Sequence, residues 1–157
     1  MHIHFSHASA LSLVALAIGL SAGCASNLPA VTPTAVSAPA AVTFEASVEK
    51  VWGATQGILA SEATFKVLDK GSSIMVTEYK TIDSQELSLI GTYFLGKTYK
   101  NNYTITFQPA GQDRTMVRVA VGLQSQQLGF LNREADEPQV TGHLRQRMFD
   151  KISAAIK

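Results

Sequence analysis

Hydrophobic and polar residues alternate along this chain with two different periods, and each period predicts one kind of element. Val42, Phe44 and Ala46 alternate with polar neighbours, a period of two that is typical of a half-buried strand. Over residues 48–61 apolar side chains recur at helical spacing, which predicts an amphipathic helix. Ser47 stands directly before this helix, and its hydroxyl can accept a free backbone N–H, so we predict that it is the N-cap.

Four further strands are predicted downstream from the same period of two. Alternating runs over residues 65–67 and 74–79 predict two strands, which are joined by a turn at residues 69–71. Two cleaner runs, 103–107 and 117–121, are separated by a turn that contains proline and glycine. These two runs predict an antiparallel hairpin with one buried and one wetter face.

A second amphipathic helix is predicted at the end of the chain. Leu144, Met148, Ile152 and Ile156 lie four residues apart, and Pro138 suits a first helical turn. The predicted order is therefore strand, helix, four strands, helix. Because a sheet with one apolar face needs a covering layer, we predict an α+β fold in which two helices cover one face of an antiparallel sheet of about five strands.

Three residues of the first predicted helix carry specific packing predictions. Trp52 is the only tryptophan in the chain, and its place on the apolar stripe predicts a core position. Gly53 and Gly57 lie one turn apart inside the same helix, where each costs about 1 kcal/mol relative to alanine. We interpret the pair as a sign that a sheet or loop packs closely against that face.

The N-terminal region predicts export and a lipid anchor. Residues 8–19 form an apolar run that has the length of a signal-peptide core and is too short to cross a bilayer, which needs about 20 apolar residues. The sequence LSAGC that follows, residues 20–24, resembles the lipobox of bacterial lipoproteins, with Ser21 where leucine is usual. The resemblance implies a signal peptide over residues 1–23, cleavage before Cys24 and lipidation of the Cys24 sulfur. An ordinary secretory signal with a coincidental cysteine is the alternative.

The residues after Cys24 predict a tether that leads to one domain. Residues 24–41 are rich in proline, alanine and threonine and carry no charge, a composition that builds no core and favours extended conformations. Residue 25 is alanine and not the aspartate that resembles an inner-membrane retention signal. We therefore expect a lipid-anchored protein of the outer membrane that faces the periplasm, with a single α+β domain over residues 42–157.

Composition and motifs argue against several classes of function. The net charge is only +1, whereas a general nucleic-acid binder shows a strong basic excess. No phosphate-binding or zinc-protease motif is present, and His143 is the only histidine after the leader, without an acid at helical spacing to orient its ring. Glu134, Asp136 and Glu137 are interpreted as a solvated loop before the last helix, not as a metal site. We predict no enzyme activity, no cofactor and no metal.

Short core patterns suggest a relationship to one type of lipoprotein domain. VEKVW at residues 48–52, FKVLDK at 65–70 and IMVTEY at 74–79 are followed by TMVRVAV at 115–121. Together with the terminal helix, they resemble the small helix-grip domains of BamC-type lipoproteins over about residues 42–157. The resemblance implies the fold and an envelope location, and it supplies no catalytic residues to transfer.

One connecting segment is more apolar than a connector needs to be. It joins two predicted strands and contains six large apolar residues, namely Leu87, Leu89, Ile90, Tyr93, Phe94 and Leu95. One interpretation is an element tucked into the core, and the other is an exposed loop that meets a partner, a lipid or a ligand. Leu128, Phe130 and Leu131 in the other long loop allow the same two interpretations.

These observations predict a non-catalytic lipoprotein that binds an envelope protein or assists envelope assembly, with the membrane contacted through its lipid. The alternative is a carrier of a lipid or a small hydrophobic ligand. An apolar pocket lined by Phe107, Val117, Val119 and Leu144 is expected for the carrier. A filled core with an exposed 87–95 segment is expected for the partner-binding module.

We predict that Cys24→Ser abolishes lipidation, because the thiol is the group that carries the diacylglyceryl chain in lipoproteins of this pattern. Metabolic labelling with a fatty-acid analogue, followed by purification of the protein, measures the incorporated lipid. Equal labelling of the wild type and the variant is incompatible with an anchor at Cys24.

Overall fold

The computed structural model describes residues 38–90, 97–127 and 133–157. Three helices lie in this part of the chain, α1 (Val48–Glu62), α2 (Ser84–Leu89) and α3 (Pro138–Ala155). The strands of the same residues are β1 (Ala41–Phe44), β2 (Phe65–Asp69), β3 (Ile74–Thr77), β4 (Lys80–Thr81), β5 (Lys97–Pro109), β6 (Thr115–Gln127) and β7 (Arg133–Glu134).

All strand pairs are antiparallel, and the main path through the sheet runs β1-β6-β5-β3-β2. This arrangement confirms the predicted α+β class with an antiparallel sheet, and the five strands on the path are those that the alternating pattern predicts. Two short strands lie off the path, since β4 pairs with β5 and β7 pairs with β6. Strands of two residues contain no period, so the sequence pattern does not reveal them.

Both long helices cover the same face of the sheet, which is the face of the odd-numbered residues of β5 and β6. Ile105 and Val117 are fully buried there, whereas their neighbours Thr106 and Arg118 face away from the helices. The stripe on α3 is the predicted one, because Leu144, Met148 and Ile152 are buried and Ile156 is half-buried. Helix α3 begins at Pro138, as the sequence predicts.

The start of α1 and its tryptophan also follow the sequence. Ser47 has an extended backbone, and its side chain accepts a hydrogen bond from the Lys50 N–H at 3.4 Å, which confirms the predicted N-cap. Trp52 is 6% exposed, and its ring centre lies 5.1 Å from that of Phe107 on β5. The predicted core position of Trp52 is therefore confirmed.

The glycine pair of α1 does not have the predicted role. Gly53 and Gly57 are exposed, and a Cβ built on either one meets no atom within 4 Å. The predicted close packing against this face is therefore wrong. The sequence misleads here because glycine spacing on a helix is the same whether the face meets a neighbour or water.

Contacts of the domain extend to residues before the predicted domain start at Val42. Ala38 is buried, and its carbonyl accepts a hydrogen bond from Arg145 Nη1 on α3 at 3.0 Å. The Ala40 carbonyl accepts a hydrogen bond from the Val119 N–H at 3.1 Å. Cys24 and the predicted signal peptide lie outside the described residues. Within the described ranges, no helix combines the length and apolar character that a bilayer crossing needs.

We predict that Trp52→Ala lowers the free energy of unfolding by about 3–5 kcal/mol, because it removes a large buried ring and leaves a cavity beside Phe107. Denaturant unfolding of the two proteins measures the difference. A loss below about 0.5 kcal/mol is the value of a surface position and contradicts this prediction.

Gly57→Ala on the same helix is the control, because it should change the free energy of unfolding in the opposite direction. The new methyl group enters open space, and alanine restricts the unfolded chain and favours the helix. We therefore expect a gain of about 0.5–1 kcal/mol in the same unfolding experiment.

Candidate functional site

The described part of the apolar segment forms α2, and its apolar residues point in two directions. Asp83 is the N-cap of this short helix, since its Oδ1 accepts a hydrogen bond from the Gln85 N–H at 2.7 Å. Leu87 and Ile90 are half-buried and pack inward, whereas Leu89 is 80% exposed. The two interpretations of the segment thus apply to different residues. Tyr93, Phe94 and Leu95 lie outside the described residues, as do Leu128, Phe130 and Leu131.

The inward side of α2 packs on a second hydrophobic cluster at one end of the sheet. The buried members of this cluster are Ile82, Tyr99, Leu123, Val140 and Leu144. Strand β4 delivers the chain to this place, because Lys80 pairs with Asn101 on β5 and the Ile82 N–H donates to the Tyr99 carbonyl at 2.9 Å. The position of α2 therefore depends on the long extension of β5 beyond the main core.

Ion pairs join α2 to α3 and α3 to α1. The Arg147 Nη1 of α3 donates a hydrogen bond to the Glu86 carboxylate of α2, and its Nη2 lies 4.0 Å from the Glu62 carboxylate of α1. Lys151, one turn further along α3, donates to the same Glu62 carboxylate. The bond to Glu86 raises the pKa of Arg147, and burial opposes this rise. Because the Glu86 side chain is only 17% exposed, this pair holds α2 more firmly than a fully solvated pair does.

A cavity of about 370 Å³ lies beside these ion pairs, between the C-terminal end of α1, the helices α2 and α3, and the sheet. Its apolar lining consists of Leu59 on α1, Ile82 just before α2 and Leu144 on α3. The sheet contributes the polar side chains of Thr77, Asn101 and Tyr103. Its carboxylates are those of Glu62, Glu78, Asp83 and Glu86, and its cations are Lys80 and Arg147.

Tyr103 lies where the two hydrophobic clusters meet, and it lines the cavity. Its backbone N–H donates to the Thr77 hydroxyl at 2.9 Å, which ties β5 to β3 at the cavity. Burial raises the pKa of the Tyr103 hydroxyl, and the nearby Glu86 carboxylate raises it further while Arg147 opposes the rise. The hydroxyl therefore keeps its proton at neutral pH and can donate or accept a hydrogen bond inside the cavity.

A more open groove of about 380 Å³ adjoins this cavity at the C-terminal end of α1. The two spaces share Glu62, Ala63, Glu78 and Lys80, and Tyr79 lines the groove. We call these two adjoining spaces the α1-end pocket. Sequence reasoning missed this pocket, because its residues come from separate elements and no local motif marks them.

The apolar pocket expected for a hydrophobic carrier is filled by core side chains. Phe107, Val117, Val119 and Leu144 are each at most 2% exposed and belong to the packed clusters. Only Leu144 also lines the α1-end pocket. The α1-end pocket thus lies away from the centre of the sheet, toward the end where α2 packs.

The other residues that the sequence singled out lie apart from this pocket. His143 is half-buried on α3, and Glu134 and Asp136 are exposed before the helix. Glu137 occupies the N-cap position of α3 without a capping bond from its side chain, and it accepts a hydrogen bond from the Tyr99 hydroxyl at 3.3 Å. No group of three or more acidic, histidine or cysteine residues within the described ranges is arranged to hold a metal ion.

Comparison with models of protein families and with curated proteins gave no match for this chain. The class of the protein therefore rests on its own fold and site, an α+β domain with an ion-paired helix beside a polar cavity.

We predict that Tyr99 makes the domain lose stability between about pH 10 and 12. Burial, and after it the Glu137 charge, raises the pKa of Tyr99 from 10.0 to about 12. Above pH 10 the unfolded chain releases this proton while the folded chain retains it, so the unfolding free energy falls through this window by up to about 2 kcal/mol.

Alkaline unfolding of the wild type and of Tyr99→Phe measures this contribution. Phenylalanine has no titrating hydroxyl, so the variant should lose less stability over the same window. Tyr79→Phe changes a partly exposed tyrosine in the same way and serves as the control. Parallel stability curves for the wild type and Tyr99→Phe contradict the prediction.

Proposed function

We propose that this chain is an outer-membrane lipoprotein, anchored through Cys24 and facing the periplasm, that binds an envelope protein as a non-catalytic accessory or assembly module. The observation that carries the proposal is the 80% exposure of Leu89 on a helix that is otherwise fixed to the domain. The contact surface that we propose is centred on Leu89 and the outward side of α2.

Several features support Leu89 as a point of contact. Complete burial of a leucine side chain contributes about 1.5–3 kcal/mol of favourable free energy. The isolated domain does not gain this energy at Leu89, but a complex that buries the side chain does. The support is preformed, because Leu87 and Ile90 pack inward and Glu86 binds Arg147. A partner therefore meets a side chain whose helix is already ordered, which lowers the entropic cost of binding.

The predicted tether suits such a module. Residues 25–37 precede the part of the chain that contacts the domain, and in a polyproline-like conformation they would extend about 3.1 Å per residue, so the domain can stand about 40 Å from the lipid anchor. This reach allows the domain to meet a partner that projects from the membrane or lies in the periplasm. Two or more acyl chains on Cys24 make the anchoring stable.

The alternative, a carrier for a lipid or another hydrophobic molecule, receives less support. A hydrophobic carrier needs an apolar cavity with few polar groups, but the space beneath the two long helices is filled by core side chains. The cavity near α2 carries four carboxylates, and its volume of about 370 Å³ is small for a diacyl lipid.

We predict that Leu89→Ser preserves folding and weakens the partner complex. The side chain is 80% exposed, so its loss removes little buried area from the isolated domain, and we expect a change of less than about 0.5 kcal/mol in unfolding free energy. Crosslinking of the anchored protein in its own envelope, followed by mass spectrometry, should show the loss of a specific partner.

Two leucine variants provide the controls. Leu68→Ser makes the same change at a 44% exposed leucine on β2 and should retain the crosslinks. Leu87→Ser removes an inward-packing side chain and should lower the stability of the domain. A folded Leu89→Ser protein that keeps every crosslink of the wild type eliminates α2 as the contact surface.

A further inference from the structure

The α1-end pocket has the composition of a site for a small cation with an apolar stem, and this inference does not depend on the proposed function. We propose that the pocket binds a primary ammonium group on an extended aliphatic chain, as in an alkyl diamine or a lysine side chain. Its length, its charge and its apolar floor each support this ligand class.

The charge of the pocket favours a cation. The cavity is lined by four carboxylates against two cations, and carboxylates remain in excess when Lys151, which binds Glu62, is included. Arg147 is already engaged by Glu86 and Glu62, so an anionic ligand that binds Arg147 has to displace a carboxylate of the protein, and Lys80 is the other cation of the pocket. A carboxylate offers about four acceptor sites, so Glu62 and Glu86 can bind a further N–H donor while they keep their partners.

The shape of the pocket favours an elongated ligand. The cavity and the groove share the lining residues Glu62, Ala63, Glu78 and Lys80, so the two spaces adjoin around the end of α1. At about 30 Å³ for each water molecule, the cavity alone holds roughly a dozen waters. That volume suits a ligand with a single aliphatic chain and is small for a folded peptide segment.

The chemistry of the walls suits an aliphatic stem with a charged end. Leu59, Ile82 and Leu144 provide an apolar floor for methylene groups. The protonated Tyr103 hydroxyl lies on the same wall as Asn101, and both can hydrogen-bond an ammonium group without adding charge. A partly desolvated ammonium is stable only beside carboxylates, and Glu86 has a side chain that is only 17% exposed.

The test uses the full chain in non-ionic detergent and isothermal titration with three probes of equal length. These are 1,5-diaminopentane, 1,5-pentanediol and glutarate, five-carbon chains whose ends are cationic, neutral and anionic respectively. We expect saturable binding of the diamine, which weakens with added salt, and no binding of the diol or the anion. Equal binding of the diol and the diamine, or no binding of the diamine, overturns the proposal.

Charge-removing variants locate the site. Glu78 is exposed and forms no ion pair with a described residue, so Glu78→Gln should fold normally and lower the diamine affinity several-fold. Glu86→Gln should lower it about tenfold, the loss of one charge-assisted hydrogen bond. Glu49→Gln changes an exposed acid in the first turn of α1 and should leave the affinity unchanged.

If Glu78→Gln and Glu86→Gln both retain the wild-type affinity while the chain stays folded, the diamine binds elsewhere and the assignment of the pocket is wrong. The ammonium group could belong to a free amine or to a lysine side chain of another protein, and Nα-acetyl-lysine methylamide distinguishes the two. Its norleucine analogue keeps the aliphatic stem without the ammonium group and is the control. Stronger binding of the lysine compound than of the diamine identifies a protein side chain as the occupant, and the reverse order identifies a free amine. The Leu89→Ser crosslinks are independent of every outcome, so failure of this proposal leaves the proposed function intact.

Discussion

The antiparallel pairing of β5 with β6 is the constraint on which the rest of this structure depends. The ladder runs over thirteen residue pairs, from Lys97 opposite Gln127 to Pro109 opposite Thr115. Every other strand except β2 pairs directly with one of these two. Because the register fixes which residues face the helices, a slip of one residue would turn Ile105 and Val117 away from the core.

The length of this ladder creates room for two hydrophobic clusters in one layer. The cluster around Trp52 and Phe107 fills the space between α1, α3 and the sheet. The second cluster, around Tyr99 and Leu123, occupies the end of the ladder that α1 does not cover. There α3 contributes the buried Val140 and Leu144, α2 contributes the half-buried Leu87, and the α1-end pocket lies between the three helices and the sheet. The exposed Leu89 and the cavity both lie at α2, since Glu86 of the same helix lines the cavity.

The ion pairs between α1, α2 and α3 also determine which charged groups line the α1-end pocket. Arg147 and Lys151 extend from α3 toward Glu62 and Glu86, so the carboxylates that line the pocket also hold the three helices in place. A ligand or partner that contacts Glu86 thus acts on the same short helix that presents Leu89.

The sequence by itself determined the α+β class, the strand and helix order along the main sheet, the Ser47 cap and the core position of Trp52. These features depend on residue periods and capping chemistry within one segment, which a sequence pattern records directly. The lipid anchor at Cys24 is likewise an inference from local sequence and stays a prediction. Only the tertiary structure decided that Gly53 and Gly57 face open space and that Leu87 and Leu89 point in opposite directions. The tertiary structure alone brought Glu62, Glu86, Tyr103 and Arg147 together at one cavity. Contacts between distant segments follow from the register of β5 on β6 and from the packing of the helices, and no periodic pattern within one segment of the sequence records either of them.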